Sequence, residues 1–92
     1  MISDDELDEM EDRCNATSPT PWQSFIEGRD HFSGSNFIRT GDLDDSCPDI
    51  YLTGATHADQ DFIAHARQDI PALISELRHL RALVSQSPGS GA

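Results

Sequence analysis

Apolar residues recur at helical spacing at both ends of this chain and alternate in strand fashion between them. Ser3 with Glu6 three residues later forms a Ser-x-x-Glu capping box, and Ile2 and Leu7 stand where a hydrophobic staple would close it. Asp4, Asp5 and Glu6 fill the first turn, where the helix dipole favours negative charge. Leu7, Met10 and Cys14 then fall at i, i+3 and i+7, a thin apolar stripe that predicts a helix over 3–14. Residues 15–21 hold two prolines among Ser, Thr and Asn and read as a rigid extended connection. Trp22 follows directly and is the natural anchor for that connection.

Three short strands are predicted next, at 22–27, 36–40 and 49–53, with Gly28, Gly34, Gly41 and Gly54 between and after them. In the first, Trp22, Ser24 and Ile26 alternate with Gln23, Phe25 and Glu27, so both faces carry apolar groups. The spacing predicts an antiparallel meander with loops near 28–35 and 41–48. The C-terminal part reads as helix again. Thr56 is an N-cap with Asp59 at N3, and Ala58, Phe62, Ala66 and Ile70 repeat every four residues, with Ile63 beside them. Pro71 disfavours helical geometry at the residue before it, which predicts a kink or break at 69–71. Beyond it, Ile70, Leu73, Leu77, Leu80 and Val84 step by 3, 4, 3 and 4, the spacing of a short coiled-coil seam. Ile74 and Leu83 widen it. The expectation is one α+β domain over 1–84: an N-terminal helix, a three-stranded antiparallel sheet, and a C-terminal kinked helix or helix pair. Residues 85–92, rich in Ser, Gly and Pro, are expected to be a disordered tail.

Charge sharpens this picture. The chain has 92 residues and a net charge of −11, with 17 carboxylates against six basic residues, all arginine. Residues 1–13 carry −6, 14–41 carry 0, 42–49 carry −4 and 50–92 carry −1. The balance argues against direct nucleic-acid binding, which rests on cationic contacts to phosphate. It favours a basic protein partner. No run of 18 apolar residues exists, so no transmembrane helix is expected, and the acidic start carries no secretory signal. Cys14 and Cys47 are then read as reduced thiols and the protein as cytoplasmic. A core this small, with a leucine seam, predicts a homodimer through Leu73, Leu77 and Leu80.

Two stretches resemble a known family. Residues 16–22, Ala-Thr-Ser-Pro-Thr-Pro-Trp, resemble the Ala-Thr-Pro-Gly-Pro-Trp motif of the Ead/Ea22-like proteins of phages and prophages, with one residue inserted. Residues 58–74, which contain Phe-Ile-Ala-His-Ala-Arg-Gln-Asp-Ile-Pro, resemble their Phe-Ile-Ala-x-Ala-Arg-x-Asp-Val-Pro segment. The resemblance covers a quarter to a third of the chain. It implies a phage or bacterial accessory protein and carries no catalytic residues.

Candidate chemistry is sparse. The exposed acids of the first helix, Asp4, Asp5, Asp8, Glu9 and Asp12, form the expected partner-binding face. Such a face fits an immunity protein or an inhibitor of a basic partner. The alternative is a sponge or sensor holding a small anion in the polar stretch 28–40, at Arg29, His31, Ser33, Ser35, Asn36 and Arg39, where arginine forks and glycine-flanked amides suit phosphate. His57, Asp61 and His65 share a helical stripe, but it spans two turns and lacks a His-Glu-x-x-His register, so no metal is expected. The 42–49 carboxylates lack the calcium-loop register and read as a solvated acidic loop. Cys14 continues the Leu7/Met10 stripe into the core. No serine lies in a nucleophile elbow and neither cysteine has a local base. The chain is therefore expected to be no enzyme and to need no cofactor.

Overall fold

The computed structural model describes residues 1–32, 34–41 and 48–85. Its elements run in the order α1 (Asp4–Asn15), β1 (Trp22–Phe25), β2 (Phe37–Thr40), β3 (Asp49–Ile50) and α2 (His57–Ser85). This is the α+β arrangement the hydrophobic pattern predicts. The acidic loop at 42–47, with Cys47, Ser33, and residues 86–92 of the expected tail lie outside the described residues. Ser85, the first residue of that tail by composition, closes α2.

The N-terminus of α1 forms as its sequence dictates. The Glu6 amide donates to Ser3 Oγ and the Ser3 amide to Glu6 Oε1, both at 3.1 Å. The helix ends at the Ala16 cap, and the connection that follows is tied down at two points. Trp22 Nε1 donates to the Ser18 carbonyl at 3.1 Å, and the Gly41 amide donates to the Pro19 carbonyl at 2.9 Å. Trp22 is thus the expected anchor, closing the connection onto its own ring.

The sheet order is β1-β2-β3, antiparallel throughout. Trp22 faces Thr40, Ser24 faces Ile38, and Phe25 faces Phe37, while Ile38 and Arg39 face Ile50 and Asp49. β1 stops two residues short of the expected end. There Asp30 Oδ2 takes the Ile26 amide at 2.8 Å, and the amides of Arg29 and Asp30 both bond the Ile26 carbonyl, folding the chain into a turn. Gly28 sits in that turn at φ +87°, a backbone region side chains disfavour. β3 is likewise shorter than 49–53.

Of the two expected forms of the C-terminal element, one helix or a helix pair, the structure has one helix. α2 is a single helix of 29 residues that runs through Pro71. Favourable residues on both sides and packing against α1 outweigh the one backbone donor that proline lacks. At its start the Asp59 amide donates to Thr56 Oγ1 and the Thr56 amide to Asp59 Oδ2, both at 3.0 Å. The face it turns inward also differs from the expected Phe62/Ala66/Ile70 face. Gln60, Ala64 and Ile74 are buried, while Phe62 is 75% exposed. The core is small: Leu7, Ile26, Ile38, Ala64 and Ile74, with Thr40 and Gln60 among them.

Candidate protein-binding faces

α1 lies along the C-terminal half of α2. Ile2, Leu7, Met10, Ile70, Leu73, Ile74 and Leu77 line an apolar cavity of about 190 Å³ between them. Leu77, expected in a seam between chains, is thus half-buried under α1 within its own chain. The acidic helix is divided by this docking. Arg81 pairs with Asp4 at 2.9 Å and also donates to the Ile2 carbonyl. Arg78 pairs with Asp8 at 2.9 Å and reaches Glu11 at 3.6 Å. Those carboxylates, Asp8 foremost, raise the Arg78 pKa above its ordinary value. Asp5, Glu9 and Asp12 stand at i, i+4 and i+7 on the outer side. All three are exposed, and none forms an ion pair or hydrogen bond with another described side chain. Of the five predicted partner-binding carboxylates, two are neutralised internally and three form a free acidic ridge.

The polar stretch 28–40 does not close around one point. The Arg29 guanidinium forks onto Asp61 of α2, Nη1 to Oδ2 at 2.8 Å and Nη2 to Oδ1 at 3.0 Å, while its Nε donates to Asp30 at 2.9 Å. Asp61 is held down at about 2, chiefly by this fork and next by a hydrogen bond from the Ser24 hydroxyl. Asp30 is lowered too, by Arg29 first and then by the Ile26 amide, and the two carboxylates raise Arg29. The fork therefore latches the β1–β2 connection to α2 and leaves Arg29 no vacant side for an anion. Asn36 accepts from the Glu27 amide at 2.8 Å, and Ser35 is exposed.

His31 and Arg39 go elsewhere, to the sheet face turned away from α2. Phe25 and Phe37 stack there at 5.2 Å, with His31 at 5.2 Å and Tyr51 at 6.0 Å from the Phe37 ring. The Arg39 guanidinium lies over Phe25, 5.7 Å from its centroid. A ring face attracts a cation through its quadrupole, and Arg39 already satisfies one such face. This aromatic surface is absent from the sequence-based candidates. Its signal is the alternation in β1: with Ser24 inward, Phe25 must point out.

The helical histidine stripe does not converge either. Asp61 is committed to Arg29, and His65 Nδ1 lies 2.8 Å from the Asp61 carbonyl. Among the described residues no group of three or more His, Cys, Asp or Glu side chains is placed to hold a metal. Cys14 is half-buried beside Trp22, Ile63, Ala66, Arg67 and Ile70. No helix among the described residues is long and apolar enough to cross a membrane.

Comparison with protein families, curated proteins and solved structures finds no match to this chain.

Proposed function

We propose that this is a non-enzymatic, cytoplasmic protein-binding factor that occupies a basic partner, as an immunity protein or an inhibitor in phage and bacterial conflict does. The observation that carries this reading is the ridge Asp5, Glu9 and Asp12. The chain has few arginines and places two of them, Arg78 and Arg81, against α1, yet these three carboxylates stay bare on a helix capped and docked at its inner side. Each repels the others, and a cationic surface would relieve that repulsion. The resemblance to Ead/Ea22-like proteins agrees in kind. The exposed leucines of α2 are read as a contact between two copies of the chain.

The test is capture from host lysate by wild type and by an Asp5→Asn, Glu9→Gln, Asp12→Asn variant. These substitutions leave the Ser3/Glu6 cap and the Leu7/Met10 face untouched. The expected result is a basic protein whose association slows several-fold in the variant and at high salt, because the Debye length shrinks from about 10 Å at 0.1 M to about 3 Å at 1 M. An unchanged association rate and salt slope would overturn the reading.

A further inference from the structure

α2 carries apolar side chains on the face opposite the sheet. Phe62 is 75% exposed, Leu73 67%, Leu80 49% and Val84 71%. With Ala66 they make a stripe at 62, 66, 73, 80 and 84, whose steps are 4, 7, 7 and 4. That series reads the same in both directions about Leu73. We infer that a second copy of the chain covers this stripe as an antiparallel α2–α2 pair, with Leu73 on the two-fold axis. The inference deepens the reading of the α2 leucines as a self-contact and is independent of the basic partner.

An isologous contact requires a patch complementary to itself under a two-fold rotation. Antiparallel pairing about Leu73 sets Phe62 opposite the other copy's Val84, and Ala66 opposite its Leu80. The small side chain thus meets a large one, which lets the two rows interdigitate. Side-chain size sets the direction. A parallel pair in register would set Phe62 against Phe62 and Ala66 against Ala66, large on large and small on small, with the two Asp69 carboxylates level with each other. The antiparallel pair separates the two Asp69 positions by about 12 Å along the axis, eight residues at 1.5 Å each. Asp69 then comes beside the other copy's Glu76 along the wet rim, so added salt should strengthen the pair rather than weaken it.

With Ile70 at the rim, 42% exposed, complete cover of the stripe would remove at most roughly 1,200 Å² from water over both copies, the lower bound of stable specific interfaces. The sheet packs on the opposite face of α2, and the N-terminal segment borders the stripe at Leu73 and Val84, so the pair forms beside α1 and leaves the sheet in place.

Two measurements on the full chain test this. Light scattering at high micromolar concentration should give a dimer for wild type. Leu73→Glu, at a site already exposed, should keep the circular dichroism spectrum and raise the dimer dissociation constant by about a hundredfold or more. Disulfide trapping in a Cys14→Ser, Cys47→Ser background then reads direction. Leu73→Cys should self-link. Phe62→Cys should not self-link but should link to Val84→Cys when the two are mixed. A monomeric wild type would overturn both the pair and the self-contact reading beneath it. A dimer in which Phe62→Cys links to itself would overturn only the antiparallel geometry. A dimer that weakens at 1 M salt would overturn the apolar seam as its cause.

Discussion

Gln68 treats Trp22 as a neighbouring β-strand would. Its Oε1 accepts from the Trp22 amide at 2.8 Å, and its Nε2 donates to the Trp22 carbonyl at 3.1 Å. β1 is an edge strand, and an edge exposes unpaired backbone groups. One side-chain amide from α2 satisfies both groups of Trp22 and fixes the helix to the sheet edge. Replacing it with leucine removes both bonds and leaves half-buried partners. We expect Gln68→Leu to cost about 1–3 kcal/mol, measured as a lower urea midpoint at unchanged slope. Gln68→Glu keeps the acceptor but loses the donor, so it should fall between leucine and wild type.

A second glutamine is more deeply placed. Gln60 is 3% exposed, and its Nε2 donates to Ser24 Oγ at 2.9 Å and to the carbonyls of Phe37 at 3.1 Å and Phe25 at 3.2 Å. It thereby bridges β1 and β2 from the helix side. Gln60→Leu has similar volume but leaves those carbonyls without a donor in a dry site. The expected cost is again about 1–3 kcal/mol, larger than for Gln68 because water reaches this site less. Amide hydrogen exchange across β1 and β2 should accelerate with it.

The latch between Arg29 and Asp61 predicts a pH dependence. Asp61 titrates near 2 in the fold, against 3.8 for an ordinary aspartate. A carboxylate depressed by folding contributes stability that is fully present above the unfolded pKa, about 3.9, and is lost as pH falls through the folded value. Stability should therefore decline between about pH 4 and pH 2, with this group contributing to that fall. Arg29→Gln removes the main cause. Carbon-detected NMR titration should then find Asp61 higher, towards the ordinary range. A value that stays near 2 would show that Arg29 is not what holds it.

The local signals were legible and the long-range ones were not. The Ser3/Glu6 and Thr56/Asp59 caps and the three strands follow from spacings of a few residues, which is the range over which caps and alternation act. The pairing of Asp4 with Arg81 and Asp8 with Arg78 joins positions at opposite ends of the chain. Nothing in either neighbourhood marks those acids as different from Asp5 or Glu9. The inward face of α2 was misread for a related reason. Hydrophobic periodicity selects Phe62 and Ile70, but the sheet edge needs hydrogen-bond donors, which Gln60 and Gln68 provide. The outer aromatic face hid in plain alternation, because Phe25 and Phe37 were as consistent with a core as with a surface.

Pro71 offers a gain rather than a loss. It lies inside α2 without breaking it, so the Arg67 carbonyl, four residues earlier, has no helical N–H to accept from. Pro71→Ala restores that donor in a helix already formed. We expect stabilisation of about 1–3 kcal/mol, read as a higher midpoint in thermal unfolding. A loss of stability would mean that the ring itself, half-buried on the inner side, packs better than the bond it forbids.

Charge on α1 can be raised without adding an acid, which tests the acidic ridge from the opposite direction. Arg78 and Arg81 neutralise Asp4 and Asp8 and approach Glu11. Substituting both with glutamine frees these carboxylates and makes the surface around α1 more negative by two charges. The pairs are partly exposed, and such pairs contribute about 0–1 kcal/mol each, so Leu7 and Ile74 should keep α1 docked. If the ridge steers a basic partner, the Arg78→Gln, Arg81→Gln variant should associate faster than wild type at low salt, and the difference should vanish near 1 M salt. Near-unchanged thermal stability would confirm that docking survived. Equal association rates at low salt, with α1 still docked, would show that the charge of this helix does not reach the partner.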